Sequence, residues 1–157
     1  GDKIGEVHYE GGDDESIRAG GLFSLSCGFI VTPYSHNHHD LETQLTIGYK
    51  IDNASAKNGD LTFSRYPVDL IQFYRYKRFR LGGGLTYHMN PELDGDGFAN
   101  DINFEFDNAL GIIVEADVHI IAAVFIGLRY TIIDYDSKYL AESVNGNSVG
   151  LMVAFRY

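Results

Sequence analysis

The feature that most constrains this chain is a period of two. Side chains along a β-strand point alternately to opposite faces, so a strand with one apolar face shows apolar residues at every second position. The last segment does this most clearly: Val149, Leu151, Val153, Phe155 and Tyr157 alternate with Gly150, Met152, Ala154 and Arg156. In a longer segment Phe104, Phe106, Leu110, Ile112, Val114, Ala116 and Val118 share one face. Glu105, Asp107, Ala109, Gly111, Glu115 and Asp117 share the other, which places four carboxylates on one face of one strand. Leu41, Leu45, Ile47 and Tyr49 oppose Glu42, Gln44, Thr46, Gly48 and Lys50, while Val124, Ile126, Leu128, Tyr130 and Ile132 oppose Phe125, Gly127, Arg129 and Thr131.

Four further segments, 4–10, 17–31, 63–76 and 79–88, bring the expected strands to eight. The segment 63–76 is irregular, because Val68, Leu70 and Tyr74 face one way only if polar Gln72 does too. Pro67 also lacks the N–H that a strand ladder uses, so a bulge is expected there. Collected over all eight segments, the apolar faces carry no charge, although 22% of the chain is charged. The opposite faces hold both signs in comparable number, from Glu6, His8, Glu10 and Arg18 through Glu42, Lys50, Asp69, Arg75, Arg80 and His88 to Glu105, Asp107, Glu115, Asp117, Arg129 and Arg156.

At 157 residues, with 45% apolar and 13% aromatic content, the chain reads as one domain over 1–157 and not as a disordered segment. The longest apolar stretch, Val118 to Leu128, is interrupted by His119 and Gly127, so no helix is long and apolar enough to cross a bilayer. A net charge of −10 disfavours a nucleic-acid partner, whose phosphates need Lys and Arg. The single cysteine, Cys27, closes no disulfide within the chain and supplies no four-cysteine zinc site. Gly1-Asp2-Lys3 opens no basic, apolar and small-residue leader, so a mature chain is expected.

Alternation alone does not say which face of a barrel points inward. The connections alternate between short ones, at Lys77-Arg78 and Ile120-Ile121, and longer ones rich in Gly, Asn and Asp at 11–16, 52–60, 89–101 and 136–147. The segment Thr32 to Asp40 is the one lengthy connection on the short side. Aromatic residues gather at strand ends: Tyr9, Tyr49, Tyr66, Tyr87, Phe104 and Tyr130 at the long-loop end, and Tyr74, Tyr76, Phe79 and Tyr157 at the other. Rings with an apolar body and a polar tip favour the headgroup region of a bilayer, and transmembrane barrels pair short periplasmic turns with long external loops.

The closing strand, with Val149, Leu151, Val153, Phe155 and terminal Tyr157, resembles that of bacterial outer-membrane β-barrels, and the eight-segment pattern extends the resemblance over essentially the whole chain. More narrowly it looks like the small eight-stranded group of OmpA/OmpX-like architecture, a likeness of architecture and not of one diagnostic motif. The expected fold is therefore all-β, an eight-stranded antiparallel up-and-down transmembrane β-barrel. Both termini would lie on the short-turn side. A barrel of this size is filled by its own side chains. The inward Arg18, Lys50, Arg75, Arg80, Arg129 and Arg156 would pair with Glu42, Asp69, Glu105, Asp107, Glu115 and Asp117. Inward glycines such as Gly28, Gly48, Gly82, Gly84, Gly111, Gly127 and Gly150 would leave room for the long arginine arms.

Three segments bear on chemistry. Some outer-membrane barrels are lipid-A deacylases with a His-x-Ser-Asn motif. His88-Met89-Asn90 is the nearest segment here, and it puts a thioether where the nucleophile belongs. His88 is then expected to cap the interior network. The run His36-Asn37-His38-His39-Asp40 holds donors for a transition metal, and Asp94-Gly95-Asp96-Gly97 with Asp101 holds carboxylates for calcium but lacks the closing glutamate of an EF-hand. Both are weighed against solvated turns, as are Asp13, Asp14 and Glu15. Acidic external loops disfavour a heparin-like ligand.

The reading is a non-enzymatic barrel of the bacterial outer membrane, monomeric, surrounded by outer-membrane lipid, with a salt-bridged interior and acidic external loops. Its role would lie in envelope structure or in contact with a surface partner. No catalytic, cofactor-binding or metal residue is assigned, and no cofactor is expected. A soluble lipocalin-like binding barrel and a lipid-modifying enzyme stand beside this reading as alternatives.

Overall fold

A computed structural model describes residues 3–7, 15–18, 23–56, 59–97, 103–121, 123–136 and 143–156. Tyr9, Glu10, Asp13, Asp14, Asp101 and Tyr157 lie outside the described residues, as do the side chains of Glu6, His8, Glu15, Arg18, Asp96 and Phe104. The fold is all-β. Its strands are β1 Lys3–Val7, β2 Glu15–Arg18, β3 Phe23–His36, β4 His39–Ala56, β5 Gly59–Tyr76, β6 Phe79–Gly97, β7 Asn103–Glu105, β8 Ala109–Ile121, β9 Val124–Ile132, β10 Asp134–Asp136, β11 Ser143–Asn145 and β12 Ser148–Phe155.

One antiparallel sheet dominates, in the order β12-β9-β8-β6-β5-β4-β3, with β7 pairing β6 beyond the end of β8. Each long strand lies beside the next in the chain, an up-and-down meander. The expected first strand, 4–10, does not join this sheet among the described residues. Instead β1 pairs β2, Lys3 opposite Arg18 and Val7 opposite Glu15, and β3 and β12 are left as edges.

The sheet is nevertheless curled. Arg156, just past β12, reaches Glu42 on β4 at 2.9 Å, and the Lys50 ammonium on β4 donates to Ser148 on β12 at 3.3 Å. These contacts cross the concave side and hold the two ends of the sheet opposite one another.

The concave side is the charged side. Glu42, Asp69, Arg80, Glu115 and Asp117 are buried there, while Leu25, Leu81, Leu110, Leu128, Leu151 and many other large apolar side chains stand exposed on the convex side. The assigned alternation holds along β4, β6, β9 and β12. In β5 the convex row does include Gln72, as its parity requires. The Gln72 amide accepts from Thr43 Oγ1 at 2.8 Å and donates to the Glu42 carbonyl at 2.8 Å, so its polar atoms are bonded on the apolar face. The expected irregularity near Pro67 is present as a register shift between Ser64 and Tyr66.

Three details differ from the sequence reading. The turn at 32–40 is tight: β3 and β4 run to a two-residue connection, Asn37 and His38, with φ of 48° and 69°. Positive φ at both central residues matches the right-handed twist of the flanking strands. The connection placed at Ile120-Ile121 falls just after it, since β8 continues to Ile121 and β9 opens at Val124. The long segment 104–118 is broken between β7 and β8, where the Phe106 amide donates to the Pro91 carbonyl and the Asp107 amide to the Asp136 carbonyl, both at 2.9 Å. The break turns Phe106 inward, 5% exposed, and leaves Glu105 and Asp107 at the surface. Two of the four carboxylates expected on one inner face, Glu115 and Asp117, are therefore there.

The long connections are largely β-hairpin extensions. β4 runs to Ala56, β5 starts at Gly59 and β6 runs to Gly97, with Asp52 opposite Phe63 and Leu93 opposite Phe63 on its other side.

Candidate functional site: the charged interior

The interior is built in layers, because inward positions of neighbouring strands fall beside one another in register. In the layer nearest the short turns, Glu42 is the centre. Its carboxylate accepts from Arg75 Nη1 at 3.0 Å, Arg80 Nη1 at 3.3 Å and Arg156 Nη2 at 2.9 Å. Arg80 in turn holds Asp117 through two parallel bonds, Nε at 2.9 Å and Nη2 at 2.6 Å. This fork geometry is the one in which a guanidinium binds a carboxylate most strongly. Arg80 also lies over the Phe73 ring at 3.8 Å, and Arg156 over Phe125 at 4.9 Å. The aromatic faces add attraction for cations shielded from water.

Phe73 of this layer joins Ile71 and Ile113 in a small apolar cluster, each fully buried. It was not foreseen, because inward apolar residues break the binary pattern that assigns the faces. Gly82, opposite Phe73, carries no side chain for a steric reason: a Cβ there would collide with the Phe73 ring. The glycine makes room for an aromatic ring where an arginine arm was expected.

The middle layer joins Arg129 to two carboxylates, Glu115 through Nε and Asp69 through Nη1, both at 2.7 Å. Thr86 donates to the second oxygen of Asp69 at 2.6 Å. Each buried anion thus has a cation, Glu115 pairing also with Arg80 at 3.7 Å, which offsets the cost of removing the charges from water.

The top layer is aromatic. His88, 2% exposed, shares a hydrogen bond of 2.5 Å with the Tyr135 hydroxyl, and Phe63, Phe106 and Tyr135 meet edge to face. Arg65 lies over Phe63 at 4.4 Å and Tyr135 at 5.9 Å. His88 therefore sits in the interior network, at its loop end. Neither Arg65 nor Tyr135 was singled out from the sequence. The signal for Arg65 was present, since it shares the parity of inward Asp69; Tyr135 lies beyond the regular part of its strand.

The expected ion pairs are assembled among Glu42, Asp69, Arg75, Arg80, Glu115, Asp117, Arg129 and Arg156. Lys50 contacts Ser148 instead of a carboxylate at salt-bridge distance. The residues 36–40 are divided by their turn: His36 lies by Asn37, His39 Nδ1 bonds the Tyr74 hydroxyl, and Asp40 accepts from Ser35 and pairs with Arg75 at 3.5 Å. Asp94 lies on the extended β6, opposite Thr62. Among the described residues no three such side chains converge as metal ligands.

On the convex side, Tyr49, Tyr66, Tyr87 and Tyr130 stand exposed near the loop end and Tyr74, Tyr76 and Phe79 near the turn end. A hollow of about 510 Å³ lies on this outer face, lined by Tyr74, Leu81, Ala116, Val118, Ile126 and Leu151, where Ala116 interrupts a row of larger side chains.

No family model matches the chain, and neither a curated protein nor a solved structure shows significant similarity to it.

Proposed function

We propose that this protein is a closed transmembrane β-barrel of a bacterial outer membrane, of OmpA/OmpX-like architecture, acting without enzymatic chemistry as a rigid frame for its external hairpins. The observation that carries the reading is the inversion of polarity. Glu42, Arg80, Glu115 and Asp117 are buried on the concave face, while Leu81, Leu110, Leu128 and Leu151 are 58% exposed or more on the convex face. A water-soluble barrel needs the reverse arrangement, since exposed apolar area costs roughly 25 cal/mol for each Å². In a bilayer the same belt faces hydrocarbon at no such cost, and the two rows of aromatic side chains fall where headgroups lie.

The interior supports a structural role. Its ion pairs and aromatic contacts fill the space that a channel or an apolar ligand would occupy, and His88 bonds Tyr135 with no serine or cysteine next to it in the chain. The face left for recognition is the loop end, where Asp134 and Asp136 are exposed. A rigid frame carrying variable loops is a common way to contact a partner.

The test is electrophoresis in SDS after refolding in detergent micelles. The unboiled sample is expected to run as a compact, faster band that slows on boiling. Protein that stays monodisperse without detergent and shows no heat-dependent shift would contradict the membrane reading.

A further inference from the structure

The two edges of the sheet differ from every other strand. Among the described residues β3 is bonded only to β4 and β12 only to β9, and β3 is exposed on both faces along nearly all of its 14 residues. The chain runs from the loop end to the turn end in both, so the two edges are parallel. An otherwise antiparallel sheet can join parallel edges only through an odd number of intervening strands.

The space between them is shaped. Most inward positions beside it are small, Ser24, Ser26 and Gly28 on β3 and Gly150 and Ala154 on β12, with Ile30 and Met152 the larger ones, and a Cβ on Gly150 would meet nothing within 4 Å. Behind it lie Lys50, Arg129 and Arg156, and two buried guanidinium nitrogens, Arg129 Nη2 and Arg156 Nη1, have no acceptor among the described residues. β1 lies antiparallel on β2 with its Lys3 end opposite Arg18, and β2 precedes β3 in the chain.

We propose that this slot binds one extended polypeptide strand that prolongs β1 and runs antiparallel to both edges. Its outward positions are apolar and its inward positions carry carboxylates. The backbone of the strand satisfies the free N–H and C=O groups of β3 and β12, which cannot be left bare in hydrocarbon. Its inward carboxylates fill the space over Gly150 and accept from Arg129 and Arg156. The inference rests on the membrane reading, in which the edges face lipid.

Cys27 supplies the ruler, since it is a free thiol on the outward face of β3. Ser24 pairs Lys50, which reaches Ser148, so Leu151 lies about level with Cys27. One missing strand separates the edges by two inter-strand spacings, roughly 10 Å, beyond the reach of a disulfide. Leu151→Cys, with Val149→Cys and Val153→Cys as neighbours, is therefore expected to form no disulfide with Cys27 under mild oxidation, and to be joined by a bismaleimide of that span. A disulfide at any of the three would mean that the edges zip together, and would overturn the slot.

The chemistry is tested by placing a 14-residue segment of alternating valine and glutamate, the length of β3, directly ahead of Gly1. It is expected to raise the temperature at which the compact band is lost above that of the chain without it, and the valine and lysine counterpart is expected to leave that temperature unchanged. Equal behaviour of the two, or no rise with the acidic one, would overturn the acidic occupant, and an equal rise with the free peptide would overturn its continuity with β1. Alkaline carbonate extraction of vesicle-bound protein reads the membrane reading separately. Extraction of the protein sinks that reading, and the cross-links in micelles still report the edges.

Discussion

Glu42 holds more of the interior together than any other acid of the lower layer, because Arg75, Arg80 and Arg156 from three different strands converge on its two oxygens. Neutralising it leaves three cations without their shared counter-charge in a site where Glu42 is only 1% exposed. Glu42→Gln is expected to destabilise the folded state by about 3 kcal/mol, read as a lower urea midpoint in micelles with an unchanged slope. Tyr135→Phe removes the hydroxyl that bonds both His88 and the Arg65 guanidinium and should cost about 2 kcal/mol in the same assay. At this scale the sequence was informative about acids and bases but not about their partners. Parity alone placed Glu42, Arg80, Asp117 and Arg129 inward. Which arginine meets which carboxylate depends on the register of strands far apart in the chain, as with Arg129 and Asp69, and local pattern does not encode that. Phe73 and Tyr135 escaped because an inward aromatic looks like an error in a binary pattern until its cation is seen.

The elements were legible wherever alternation ran unbroken, and misread where the backbone changes direction. The turn at Asn37 and His38 is the clearest case: its polar run resembled a loop or a metal site, while the strands continue through it to the cross-strand pair His36 and His39. A β-branched residue at positive φ is strained, so His38→Val is expected to lower stability by about 1 kcal/mol, whereas His38→Gly should be neutral or stabilising, both by urea denaturation. The break between β7 and β8 was hidden for a different reason. Phe104, Phe106 and Leu110 keep the same parity across it, so the pattern reads as continuous although the strand is not. On β6, Gly82→Leu would force a side chain into the Phe73 ring and is expected to cost about 2 kcal/mol, with loss of near-ultraviolet circular dichroism as the sign of disturbed interior packing.

At the scale of the whole molecule, the all-β meander and the segregation of charge from apolar side chains were readable from periodicity and composition. The closure was not, because the pairing of a first strand with a last one leaves no trace in local alternation; β1 pairs β2, and the edges β3 and β12 stand apart. The membrane reading rests on polarity and is tested there most directly. The chain has no tryptophan, so a single one reports without background. Leu128→Trp places it on the convex face, where Leu128 is 58% exposed, and Phe73→Trp places it in the interior, where Phe73 is 0% exposed. In vesicles of lipids brominated along their acyl chains, fluorescence at position 128 is expected to be strongly quenched and fluorescence at position 73 to be spared. Quenching of position 73 with position 128 spared, or quenching of neither, would mean that the apolar face does not meet lipid.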